Sequence, residues 1–89
     1  MKTSEQKAID TLEGAYTSDL LEIYVFTIQD YFADETDQLE IDNPEMEDYL
    51  NDVIPEFTEE FDLTKKEEWL QQLRVIVNKA KSMATREES

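Results

Sequence analysis

The chain contains no cysteine and no histidine. The first absence excludes a disulfide scaffold and a thiolate metal site. The second removes the commonest general base, the usual partner of a nucleophilic serine and the commonest transition-metal ligand. A single glycine in 89 residues excludes a glycine-rich phosphate loop. No apolar run approaches the roughly 18 residues that a membrane-spanning helix needs. The segment 1-MKTSEQKAID-10 has no apolar stretch like that of a signal peptide. The expected location is therefore cytoplasmic, and neither a cofactor nor a bound metal is expected.

Bases are the other scarcity. Eight Lys and Arg face 23 Asp and Glu, for a net charge of −15. Such a chain is repelled by an anionic membrane surface and by nucleic acid, so direct contact with either is not expected. The charge is also unevenly placed. Residues 1–16 carry −1, residues 17–62 carry sixteen acids and no base, and residues 63–89 carry +2. Forty-six consecutive residues without one Lys or Arg form the strongest feature of the sequence.

What is present reads as helix. With 39% hydrophobic residues and nine aromatics, the chain suffices for one domain, residues 1–89, and one modest core. A first helix is expected over 4–16, with Ala8, Ile9, Leu12, Ala15 and Tyr16 on one face. A second is expected over 19–33, capped by Thr17 or Ser18. Its apolar residues cover most of the circumference, which marks it as the central helix. The run 23-IYVFTI-28 is also rich in strand formers, so a strand is the rival reading there. A third helix opens at 43-NPE-45, with Asn43 as cap and Pro44 in the first turn, and is expected to stop at Pro55. The segment 56-EFTEEFDL-63 reads as a short turn or a single helical turn whose Phe57, Phe61 and Leu63 plug the core edge. The fourth helix is long and amphipathic. Thr64 and Glu67 form a capping-box pattern, and Trp69, Leu70, Leu73, Ile76, Val77, Ala80 and Met83 make its stripe. Residues 85–89 are expected to fray. The fold class is all-α: a small antiparallel bundle of about four helices with one acidic loop, 34–42.

The densest acidic stretch is 34-DETDQLEIDNPEMEDYLND-52, with nine acids in nineteen residues. A calcium-loop register starting at Asp34 puts Glu45 at the twelfth position, but Leu39 stands where glycine is required. A carboxylate enzyme has no residue that sets one acid apart from another. Binding is the reading that remains, without catalytic residues. Glu45, Asp48 and Asp52 share one helical face within about 60°. Asp34, Glu35, Asp37, Glu40 and Asp42 precede them as loop contacts, and Glu56, Glu59 and Glu60 follow. These eleven residues are the candidate partner-binding set. Their density points to imitation of the charge of duplex DNA, directed at a protein with a basic groove. In size, charge and missing chemistry the chain is similar to the small acidic proteins that phages use against restriction enzymes, CRISPR effectors or polymerases. No motif ties it to a named family of them. The alternative is an acidic adaptor, toxin-neutralising or assembly protein with a basic partner unrelated to nucleic acid, anchored by Tyr49, Phe57 and Phe61. A purely solubilising face also accounts for acidity. The basic residues Lys65, Lys66, Arg74, Lys79, Lys81 and Arg86 read as an offset to the acidic helices. The 69–83 stripe is long enough to serve as a homodimer seam.

Overall fold

Apolar periodicity becomes helix along nearly the whole chain. A computed structural model describes residues 1–84. Five α-helices run in the order α1 (Thr3–Glu13), α2 (Leu21–Asp34), α3 (Asp37–Asp42), α4 (Pro44–Glu59) and α5 (Lys66–Met83). Single 3-10 turns follow α1 (Gly14–Thr17) and precede α5 (Leu63–Lys65). No strand occurs among the described residues, and 23-IYVFTI-28 is helical. The fraying expected of 85–89 lies outside the described residues.

All five helices feed one core. Ala8, Ile9 and Leu12 of α1 meet Val25 and Ile28 of α2, Leu39 of α3, Met46, Leu50 and Ile54 of α4, and Leu73, Val77 and Ala80 of α5. Trp69 closes one end. Its ring stacks on Phe57 at 4.4 Å and meets Phe61 edge-on at 5.0 Å, while its indole N–H donates to the Phe57 carbonyl at 3.0 Å. The 69–83 stripe thus packs into the chain's own core: Trp69, Leu73, Val77 and Ala80 are all buried.

Several expectations are corrected. Residues 34–42 do not form a loop, because 37–42 wind into α3 around the buried Leu39. Asp42 fixes this short helix to α1: it accepts from the Ser4 hydroxyl at 2.6 Å, and its carbonyl accepts from Lys2 Nζ at 3.2 Å. Five helices therefore occur among the described residues, where about four were expected.

Pro55 does not end α4, which continues to Glu59. Proline removes one backbone donor and disfavours helix before it. Here Phe57 and Thr58 are buried beyond it, and the Thr58 hydroxyl lies within hydrogen-bond reach of the Ile54 and Pro55 carbonyls at 2.8 and 3.1 Å. Packing of that last turn outweighs the local penalty.

α2 is not the central helix: α1 and α4 each pack against three other helices, and α2 packs mainly against α4 and α1. α2 buries Leu21, Val25, Ile28 and Phe32 along one stripe only, and it begins at Leu21, later than a Thr17 or Ser18 cap would place it.

Thr64 does not cap α5. Asp62 does the local capping, accepting from the Thr64 N–H at 3.0 Å and from its hydroxyl at 2.7 Å, and thereby winds the 3-10 turn ahead of the helix. Glu67 is left exposed on the first turn. Leu63, expected at the core edge, is half exposed. A one-sided cap does exist at α1, where Glu5 accepts from the Lys2 backbone N–H at 2.7 Å.

Candidate binding surface

The acidic set is built mainly on α4. Asn43 caps this helix as expected, accepting from the Met46 N–H at 3.1 Å, and Pro44 occupies the first turn. The same Asn43 amide donates to Glu5 at 2.7 Å and to the Met83 carbonyl at 2.8 Å, so the start of α4 is tied to both α1 and the end of α5.

Continuation of α4 through Pro55 gives the acidic face its length. At 100° per residue, Glu45, Asp48, Asp52, Glu56 and Glu59 fall within about 80° of one another and opposite the buried face. All five are exposed. They span about 21 Å of helix axis, one carboxylate per roughly 5 Å. Among the described residues no Lys or Arg forms an ion pair with any of them.

Glu45, Asp48 and Asp52 line one groove of about 590 Å³ together with Tyr49, Lys79 and Met83. Lys79 Nζ sits 4.8 Å from the centre of the Tyr49 ring. The groove therefore combines carboxylates, an aromatic face and a cation already resting on it. That combination suits lysine or arginine side chains, which favour both carboxylates and ring faces.

The other candidate residues are dispersed. Asp34 and Glu35 border a groove with Asp30 and Tyr31. Glu35 and Asp42 border another that holds Lys2 and Lys7. Asp42 is engaged in holding α1 to α3, so it serves the fold. Glu60 lies beside Lys65 and Glu68, near Trp69. The eleven residues thus resolve into one α4 stripe and several separate edges.

Asp37 and Glu40 on α3 approach α4. Their effect shows at Glu47, which the sequence reading did not single out. Its carboxyl pKa is raised, first by partial desolvation and then by the nearby charges of Glu40, Asp48 and Asp37. Only the winding of 37–42 into a helix reveals this neighbourhood. Glu47 also accepts a hydrogen bond from Asn51 Nδ2. Of the anchors in the adaptor reading, Phe57 is buried against Trp69, whereas Phe61, edge-on to the same ring, and Tyr49 both stay partly exposed.

The basic residues are placed away from most of this stripe. Arg74 lies over the Tyr16 ring at 5.2 Å, and Lys81 pairs with Glu13 at 3.2 Å. Arg86 lies outside the described residues. Among the described residues no group of three or more Asp or Glu side chains is arranged to hold a metal ion. The helical winding of 37–42 also precludes a calcium loop over 34–45. No helix among the described residues is long and apolar enough to cross a membrane. Comparison of the chain with known protein families, curated proteins and solved structures found no match.

Proposed function

We propose that the chain is a non-enzymatic acidic binding protein that imitates the charge of DNA and occupies the basic groove of a nucleic-acid-handling protein. Its role would be inhibitory, of the anti-restriction or anti-CRISPR kind. The observation that carries this reading is the α4 stripe, five exposed carboxylates in helical register over about 21 Å. One strand of duplex DNA presents a phosphate every 3.4 Å or so of axis. A rigid row of carboxylates at about 5 Å offers a comparable field to a groove lined with Lys and Arg. Glu45, Asp48 and Asp52 contribute the ordered part, and the groove they share with Tyr49 accepts a cationic side chain. Asp34, Glu35, Asp37 and Glu40 widen the field from α2 and α3. Binding of this kind is fast and strongly salt-dependent.

The test is capture from a bacterial lysate on the immobilised protein, eluted in steps of rising salt. Nucleases, polymerase subunits or other nucleic-acid-handling proteins should elute, and added duplex DNA should displace them. Retained proteins that duplex DNA fails to displace would refute charge mimicry.

A further inference from the structure

α2 carries more apolar residues than the core uses. Leu21, Val25, Ile28 and Phe32 face inward. Leu20, Ile23 and Phe26 face out and are 55%, 56% and 65% exposed. Ile23 and Phe26 lie three apart on α2, the spacing of a ridge that seats in the groove of a facing helix, and Leu20 stands just ahead of them at the N-cap. Isolated exposed apolar residues are ordinary, but three set so close along one outer face are the kind of patch that marks an interaction site.

The surroundings of the row say what covers it. Asp19 and Glu22 flank its start, and Asp30 and Asp34 lie one and two turns beyond Phe26; all four are exposed. At 100° per residue, Ile23, Phe26 and Asp30 fall within about 60° of one another. No Lys or Arg occurs anywhere in α2. A second copy of this chain is a poor occupant. It would bring two sets of the same four carboxylates together, on chains that each carry −15. A complementary occupant has an apolar centre and a basic rim.

We propose that the outer face of α2 is a docking surface for an amphipathic helix of a partner protein. The partner's apolar side covers Leu20, Ile23 and Phe26, and its Lys or Arg side chains meet Asp19, Glu22, Asp30 and Asp34. The apolar row supplies affinity, and the carboxylates supply orientation and the selection of a cationic partner. This surface shares only Asp34 with the acidic field proposed above and uses no residue of the α4 stripe, so the stripe and the α2 face can fail separately.

The probe is a synthetic helical peptide with leucine on one face and lysine on the other, titrated into isotope-labelled protein and followed by NMR. The largest amide shifts should fall within residues 19–34. Ile23→Ser with Phe26→Ser should weaken binding about tenfold or more, the loss of a buried anchor. Glu45→Gln with Asp48→Asn and Asp52→Asn should change it less than about threefold, the scale of a rim charge. Asp30→Asn with Asp34→Asn alters only exposed charge, so it tests the same surface without disturbing apolar side chains. That variant should weaken binding mainly at low salt. The same peptide with glutamate in place of lysine should not bind. The proposal is overturned by no binding, by shifts centred on α4, or by equal weakening in the α2 and α4 variants. It is also overturned if the wild type sediments as a dimer that the Ile23→Ser, Phe26→Ser variant dissociates, because a second copy then covers the row.

Discussion

Asn43 donates its side-chain amide to the buried Glu5 carboxylate at 2.7 Å. Its second amide hydrogen reaches the Met83 carbonyl at 2.8 Å, and its oxygen caps α4. One side chain thus joins three helices. Asn43→Ala removes the cap and takes a donor from a fully buried carboxylate, so it should cost about 2 kcal/mol. Asn43→Asp keeps the cap but sets a second carboxylate beside Glu5, so its deficit should deepen as pH rises. Urea denaturation of both variants checks this. An Asn43→Ala loss under about 0.5 kcal/mol would show that the junction contributes little beyond an ordinary surface position.

Gly14 is where Tyr24 crosses the chain. The Tyr24 hydroxyl donates to the Thr11 carbonyl at 2.6 Å, and a Cβ added at Gly14 would lie 2.0 Å from that hydroxyl oxygen. Ordinarily Gly→Ala at a helix end stabilises by reducing unfolded-state freedom. Here Tyr24 must swing away and give up its hydrogen bond, so Gly14→Ala should destabilise by about 1 kcal/mol. In a Tyr24→Ala background the same change should be neutral or stabilising. A double-mutant cycle by thermal denaturation reads the difference, and additivity of the two changes would contradict it.

The start of α5 distinguishes two capping schemes. Asp62 accepts two hydrogen bonds from Thr64, whereas Glu67 is exposed. Asp62→Ala should lower the urea midpoint, and Glu67→Ala should leave it nearly unchanged. The reverse ranking would restore the Thr64–Glu67 box. Because hydrogen bonding by the Thr64 hydroxyl and N–H holds the Asp62 pKa down, its stabilisation is present above the unfolded-state pKa. It is lost as pH falls through the lower folded-state value.

Glu47 has the opposite sign. Desolvation and the charges of Glu40, Asp48 and Asp37 raise its folded-state pKa, so the folded form binds more protons than the unfolded form. Its penalty is full above the folded-state pKa and fades as pH falls through that value toward the unfolded one. Glu47→Gln should therefore stabilise at neutral pH by about 0.3 kcal/mol, the scale of a like-charge helical pair. The gain should shrink on mild acidification and in high salt. Midpoints measured from pH 7 to 5 decide it, and a gain independent of pH would point to a cause other than charge.

The long amphipathic elements were legible in the sequence, and the short or overridden ones were not. α5 announced itself through five turns of regular apolar spacing, and Asn43-Pro44 marked the start of α4. α3 was illegible because six residues hold a single core anchor, Leu39, too few for a period to show. Pro55 misled because its local penalty is visible in sequence, while the burial of Phe57 and Thr58 that overrides it is tertiary. Thr64 carried the right residue types for a cap, but Asp62 reached its N–H first. α2 looked central because apolar residues surround it, and the sequence does not say how many sides find neighbours. On the acidic face, the grouping of Glu45, Asp48 and Asp52 followed from spacing alone. The addition of Glu56 and Glu59 to that stripe depended on the helix surviving its proline, and the role of Glu47 depended on α3.

The most direct measurement compares lysate capture by two triple variants that remove equal charge. One neutralises the stripe, Glu45→Gln with Asp48→Asn and Asp52→Asn. The other neutralises three exposed acids elsewhere, Asp10→Asn with Glu67→Gln and Glu68→Gln. If the α4 stripe acts in place of DNA, the first variant should lose the nucleic-acid-handling proteins that duplex DNA displaces from the wild type, and the second should retain them. Equal losses would mean that total charge alone governs retention, and full retention by the stripe variant would place the binding face somewhere other than α4.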